Sequence, residues 1–182
     1  MEDFTDKELV QLFRTDSSRN HAFNLIVRKY QKKLYWHIRK MMISHDDSDD
    51  VLQNTMINAY FGLELFREDA SLYTWLYRIA TNEALSALKR KKRSLFLKLD
   101  DIRSQLEKTL EADIYFNGDE IQMKLQKAIL TLPEKQRLVF NMKYFDEMKY
   151  EDMADILDTS AGALKASYHH AVKKIKKYLE KD

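Results

Sequence analysis

Apolar residues at Phe23, Ile26, Tyr30, Leu34, Ile38 and Met41 recur at intervals of three and four, the stripe of an amphipathic helix. The spacing predicts a helix from about residue 19 to residue 43. Ser44-His-Asp-Asp47 then has the form of a helix-starting box. A second helix follows, with Val51, Leu52, Thr55, Met56, Ala59, Tyr60 and Leu63 on its inner side. Ser71 can cap a third, which carries Leu72, Trp75, Leu76, Ile79, Ala80 and Leu88 and runs out into KRKKR. After Ser94 the clean period is lost, and Asn117-Gly118-Asp119 marks a turn. The second half restarts with Ile121, Leu125, Ala128, Ile129 and Leu132. Pro133, harmless in a first helical turn, opens a helix with Leu138, Val139, Met142 and Tyr144. A short helix over 150–157, the turn Asp158-Thr159-Ser160 and a longer helix to about Leu179 complete the chain, with Leu164, Tyr168, Ala171 and Ile175 inward. Two helices joined by so short a turn suggest helix-turn-helix.

Composition supports this all-α reading. The 182 residues include three Gly and one Pro, where average usage gives roughly 13 and 9. There is no Cys, so disulfides, thiolate metal sites and thiol nucleophiles are excluded, as suits a reducing cytoplasm. The start MEDFTDKELVQLF lacks the pattern of a secretory signal, and no stretch is apolar enough to span a membrane; a cytoplasmic protein is expected. The net charge of +2 hides strong segregation. No acid lies between Asp16 and Asp46, while Arg19, Arg28, Lys29, Lys32, Lys33, Arg39 and Lys40 are basic. Residues 70–99 repeat this, with Glu83 the one acid. Residues 100–120 invert it, with seven acids against two bases. We therefore divide the chain into two small helical domains, residues 1–93 and 119–182, joined by an acidic linker over 94–118.

Candidate chemistry follows from these placements. A helix-turn-helix that reads duplex DNA needs a small residue where the helices cross, a tight turn, a buried apolar residue in the second helix and polar residues toward the groove. Ala154, Asp158 and Leu164 fill the first three roles. The outward set is Lys165, Ala166, His169 and His170, with Lys173 and Lys174 placed for phosphates; a plain helical hairpin with a solvated basic face is the competing reading. In the first domain Tyr73, Trp75, Tyr77, Arg78 and Asn82, followed by Lys89 and Arg90, mix rings, an amide and cations, which suits unpaired DNA. Trp75 shares a stripe with Leu72 and Ile79 and is expected to pack, so Tyr73 is the better stacking candidate. His45 with Asp46, Asp47, Asp49 and Asp50 has no second His at ligand spacing, and acids at a helix start are explained by the dipole. His169 and His170 cannot both point one way. No metal or cofactor is expected, and the absence of G-x-x-x-x-G-K-[ST], G-x-G-x-x-G and G-x-S-x-G leaves an enzyme without residues to act.

Two stretches also resemble a known family. The segment from DSDDVLQNTMINAYF through TWLYRIATNEALSALKRKKR is similar to region 2 of the extracytoplasmic-function (ECF) sigma factors, and LTLPEKQRLVFNMKYFDEMKYEDMADILDTSAGALKASYHHAVKKIKKYL resembles their region 4. The resemblance implies a bacterial RNA polymerase specificity subunit that recruits core polymerase and recognises the minus-ten and minus-thirty-five promoter elements. Asp50, Leu52, Gln53 and Asn54 match the segment that binds the clamp helices of the β′ subunit. Asn82 matches an asparagine near the captured minus-ten base, Glu68 to Tyr73 match the loop that pockets it, and Tyr73, Arg78, Lys89 and Arg90 complete the minus-ten set. Lys165, Ala166, His169 and His170 match recognition-helix positions, with Lys173 and Lys174 beside them. Region 4 would also lean on the β flap, the acidic linker would thread the polymerase cleft, and an anti-sigma partner is implied. Ser86, Ala163, Ala166, Ser167 and His170 depart from the family's usual aspartate, threonine, serine and two arginines, so the promoter sequence does not carry over. The rivals are a polymerase-independent helix-turn-helix regulator and a helical module that binds acidic partners.

Overall fold

The computed structural model describes residues 4–94, 99–112 and 120–180. Among them nine α-helices and two single-turn 3-10 helices follow one another without a strand. In chain order they are α1 (Asp6–Phe13), α2 (Arg19–Met42), α3 (His45–Gly62), α4 (Leu72–Ser94), α5 (Leu99–Ala112), α6 (Glu120–Leu130), α7 (Glu134–Tyr144), α8 (Tyr150–Leu157) and α9 (Ala161–Leu179).

Local chemistry sets these boundaries. The hydroxyls of Ser44, Ser71 and Ser160 accept the backbone N–H of Asp47, Thr74 and Ala163 at 3.3, 3.1 and 3.2 Å, each satisfying a donor that the first helical turn leaves free. Thr5 and Glu8 form a reciprocal capping box at the start of α1. Pro133 directly precedes α7, where its missing N–H removes no helical bond. Asp158 closes α8 in the left-handed region, φ 48° and ψ 52°, as the helix-turn-helix reading requires of a residue that tolerates this conformation.

In α2 to α4 the expected stripes turn inward, joined by α1, a helix that the sequence reading did not single out. Leu9, Phe13, Ile26, Leu34, Ile38, Leu63, Leu76 and Ala80 are buried, and Phe23, Leu52, Met56, Tyr60, Trp75 and Ile79 pack half-buried around them. In α6, α7 and α9 a smaller core gathers Ala128, Ile129, Leu132, Phe140, Ala171 and Ile175, with the Phe140 ring stacked on Tyr144 and Tyr168. Two details differ from expectation. Ile121, in the first turn of α6, is 78% exposed. Arg39, counted above among the basic residues of α2, is buried at 1% exposure, so the basic face of that helix is narrower than the sequence implies.

The segment between the halves contains a helix. Leu106 and Leu110 of α5, one turn apart, pack on Ile43 and Leu130, and Glu111 pairs with Lys127 at 2.7 Å. A stripe this thin among acids is why the period fades from the sequence after Ser94. The same cluster holds Ile43, a β-branched residue at φ 64°, in a conformation that only burial makes tolerable. The turn expected at Asn117-Gly118-Asp119 lies outside the described residues. Among the described residues, no helix is long and apolar enough to cross a membrane.

The two halves pack together. Leu138, Val139, Met142, Met148, Met153, Ile156 and Leu164 join the cluster that contains Leu34 and Leu76, with α7 against α2 and α8 against α4. A polar joint sits beside this seam. Asp146, its side chain 7% exposed, accepts from Lys40 Nζ and lies 3.0 Å from His37 Nδ1. His37 is fully buried, and its Nε2 is 2.9 Å from the Thr81 hydroxyl, which itself donates to the Tyr77 carbonyl at 2.7 Å. With an Nδ1 hydrogen directed at Asp146, the His37 ring bridges that carboxylate and the Thr81 hydroxyl. Burial pushes the Asp146 carboxyl up, but the contacts with His37 and Lys40 outweigh it and hold the group below the usual carboxylate range.

Two predictions follow from this packing. Met153→Ala, at a site with 0% exposure, should lower unfolding stability by about 2–5 kcal/mol in urea titration. Because Asp146 ionises more readily in the folded state, its stabilisation is present above its ordinary value of 3.8 and is lost as pH falls through the lowered one. Thermal melts of the wild type and Asp146→Asn should therefore differ by a constant amount near neutral pH and converge in acid.

Candidate functional site

Four surfaces carry the residues singled out from the sequence. On α3, Asp50, Gln53 and Asn54 are exposed and Leu52 is half-buried against the core. The exposed set continues along the same face into Ile57, 48% exposed, and Phe61, 73% exposed, with Leu65 at 81% just beyond the helix. Sequence reasoning missed these three. Their signal was present: they fall three, seven and eleven residues after Asn54, out of phase with the buried Val51, Thr55 and Ala59.

The loop from Phe66 to Ser71 shapes a concavity of about 430 Å³ whose walls include Asp6, Lys7 and Val10 of α1 and Glu68, Asp69 and Leu72. Glu68 takes a positive φ of 61° and is fixed by Arg14 at 3.1 Å. Arg14 also donates to the Phe66 carbonyl at 2.7 Å, so one guanidinium from the end of α1 sets the loop. The sequence offered nothing to connect α1 with this loop, because the contact spans 52 residues.

On α4 the expected set divides. Arg78, Asn82 and Lys89 are exposed and share a helical face by their spacing of four and seven. Arg90 is exposed on another side. Tyr73 is half-buried, its ring 4.4 Å from that of Tyr77 and 6.4 Å from that of Tyr30, and burial raises its hydroxyl above the ordinary phenol value. It borders a second, larger concavity with Lys32, Lys33 and Trp36, so a ring face remains reachable beside lysines. Trp75 packs on Phe66 at 5.0 Å, as its stripe required. Lys91 and Lys92 are each paired with an acid, Asp47 at 2.7 Å and Glu134 at 2.6 Å.

In α9, Lys165, Ala166, His169, His170, Lys173 and Lys174 are all exposed on the side opposite the buried Leu164, Ala171 and Ile175. Lys165 Nζ sits 5.6 Å from the Tyr150 ring centroid and Lys174 donates to Gln136 at 3.0 Å, which holds both cations beside the helix rather than leaving them to wander. A short α8, a left-handed residue and a capped α9 with an outward polar face have the form that enters a major groove.

A helix-turn-helix docked on a second helical unit that bears its own concavity and cationic face defines a class: a DNA-reading protein of transcription. Comparison with known proteins narrows it. The family models "Sigma-70 region 2" and "Sigma-70, region 4" match residues 26–94 and 122–175. The chain is 31% identical to the RNA polymerase sigma-H factor of Pseudomonas aeruginosa, over 96% of this chain and 94% of that one. It is 31% identical to the ECF RNA polymerase sigma-E factor of Escherichia coli K12, covering 93% and 92%, and 29% identical to the ECF sigma factor SigW of Bacillus subtilis, covering 98% of each. Among solved structures it superimposes on CnrH, determined in complex with the cytosolic domain of CnrY, with a TM-score of 0.71 and 22% identity over 97% of this chain and 98% of that one. The chain belongs to the sigma-70 family, in its ECF group, and is an RNA polymerase sigma factor that directs transcription initiation without catalysis of its own. The rival readings as a self-sufficient regulator or a generic interaction module fall with this assignment.

Because Arg14 holds both Glu68 and the Phe66 carbonyl, Arg14→Ala should loosen the 66–71 loop while costing little global stability, since an exposed ion pair is worth about 0–1 kcal/mol. Hydrogen exchange of residues 66–71 against an unchanged melting curve is the measurement that checks it.

Proposed function

We propose the following division of labour. Residues 1–93 form the unit that binds core polymerase and opens the minus-ten element, residues 94–118 the acidic linker that threads the polymerase cleft, and residues 119–182 the unit that reads the minus-thirty-five element as duplex and leans on the β flap. Asp50, Gln53 and Asn54, extended by Ile57 and Phe61, bind the β′ clamp helices, while Leu52 supports that face from the core side. The concavity at residues 66–72 receives a base flipped from the minus-ten element. Arg78, Asn82 and Lys89 hold the unpaired strand by charge and amide hydrogen bonds, with Tyr73 available for stacking. Lys165, Ala166, His169 and His170 face base edges in the major groove, and Lys173 and Lys174 meet phosphates. The observation that carries this reading is that the base-sized concavity opens at the start of the same helix, α4, that bears the Arg78, Asn82 and Lys89 face. The protein works in the cytoplasm with polymerase. An anti-sigma factor binds it, in the way that the similar sigma factor RpoE of Bartonella quintana forms a complex with the anti-sigma factor NepR.

Run-off transcription with purified core polymerase on a pool of promoter fragments tests the whole reading. The protein should confer new start sites that share two upstream elements; no new starts and no stable complex would end it. Single changes separate the steps. Asn82→Ala should lower open-complex formation, followed by permanganate reactivity, and leave polymerase binding intact. Gln53→Ala with Asn54→Ala should weaken polymerase binding itself in gel filtration. Lys173→Ala with Lys174→Ala should reduce the slope of log affinity against log salt for the duplex element by about 2.

A further inference from the structure

The larger concavity beside Tyr73 meets the residues assigned to unpaired DNA only at that ring, and the rest of it has no part in the reading above. It encloses about 720 Å³, within the range of about 300–1,000 Å³ that small-molecule sites occupy. Bounded by α2, α4, α6 and the turn after α7, it suits a compact ligand more than a strand that must enter and leave.

Its charge comes from α2. Lys29 of that helix pairs with Asp6 at 2.9 Å, Arg39 is buried and Lys40 meets Asp146. Lys32 and Lys33 are exposed on the wall of the cavity, and neither pairs with an acid among the described residues. Asp146, the one acid on that wall, has both oxygens engaged, by Lys40 and by His37. Two cations therefore face the space without a counter-charge. Its flat surfaces are Trp36, 38% exposed, and Tyr73; Phe145 is already met by Lys40 Nζ, 5.2 Å from its ring centroid. From α6, Gln122 and Gln126, one turn apart, line the same space, and each amide carries both donors and an acceptor.

Amines for phosphates, rings for a planar base and amides for its edge are the complement of a nucleotide. We propose that this cavity binds a free nucleoside triphosphate, with its phosphates on Lys32 and Lys33, its base stacked on Trp36 and the edge of the base met by Gln122 and Gln126. The site goes beyond the sigma-factor reading and does not depend on it. A ligand held there touches α2 and α6 together, so its binding should also stabilise the folded chain against heat.

Equilibrium dialysis of the full-length protein with ATP, GTP, adenosine and inorganic tripolyphosphate tests the site. ATP and GTP should bind at one site, and adenosine and tripolyphosphate each about tenfold more weakly, since each lacks one half of the contacts. Lys32→Ala with Lys33→Ala should weaken ATP about tenfold and leave adenosine unchanged, whereas Gln122→Ala with Gln126→Ala should weaken both. Lys176→Ala with Lys177→Ala, which removes the same charge from exposed positions of α9, should leave ATP binding as it is. The chain has two Trp, and Trp75 packs on Phe66, so ATP should quench the emission of Trp36; Trp36→Phe, which keeps a ring, should lose the quenching while binding persists. No binding at millimolar ATP overturns the proposal, as do tripolyphosphate binding as tightly as ATP, equal losses from the two lysine pairs, or quenching that survives Trp36→Phe. A short mixed-sequence single-stranded DNA that displaces ATP and loses as much affinity in the Lys32 and Lys33 variant assigns the cavity to nucleic acid and likewise overturns it. If Trp36→Phe does not fold, the lysine pairs and the tripolyphosphate comparison decide the matter. Run-off transcription by the wild type keeps the two questions apart: transcripts without ATP binding in dialysis refute the nucleotide site alone, and no transcripts refute the sigma-factor reading.

Discussion

The structure depends on the double burial of α4. One side of this helix, through Leu72, Leu76, Ala80 and Ala84, closes the core of the first four helices. Another side meets α8, where Met153 and Ile156 are buried in the same cluster. A helix that is apolar on so wide an arc has little room for solvent-facing chemistry, and over residues 72–89 its exposed polar residues, Arg78, Asn82, Ser86 and Lys89, share one face. The face proposed to hold the unpaired strand is therefore the remainder left by packing, and its position is fixed as firmly as the core.

Polar groups at the seam add direction where apolar burial gives only cohesion. Met142 and Met148 would tolerate several orientations of one half on the other, since methionine fills gaps adaptably. The chain of hydrogen bonds from Tyr77 through Thr81 and His37 to Asp146 does not, because each donor in it has one matching acceptor. It links α4, α2 and the turn after α7 in one register.

The loop before α4 shows the same economy at smaller scale. Its concavity exists because Glu68 bends the chain through a left-handed turn and Arg14 holds both Glu68 and the Phe66 carbonyl. The lining comes from the first helix as much as from the loop. A pocket of this kind stays open without a ligand, so the cost of ordering it is met during folding rather than at binding.

The sequence by itself determined the helices, their inward stripes and their caps, because these follow from spacing and from neighbours within one turn: Leu34 and Ile38 of α2, Ser44, Ser71 and Ser160 at helix starts, Asp158 at the tight turn. It also carried the motifs by which the two sigma-70 regions are recognised, from Asp50 to Asn54 and from Lys165 to Lys174. Only the tertiary structure decided which cations are free and which are taken. Arg39 is buried, Lys92 and Lys40 meet acids of the other half, and Tyr73 is half-buried beside Tyr30 of α2. The apolar row of Ile57, Phe61 and Leu65 was written in the sequence, but its exposure depended on which side of α3 the rest of the chain would cover. The joint at Asp146 pairs residues 106 and 109 positions apart, and no local pattern encodes such a meeting, because it arises only when two independently stable stripes come to share one core.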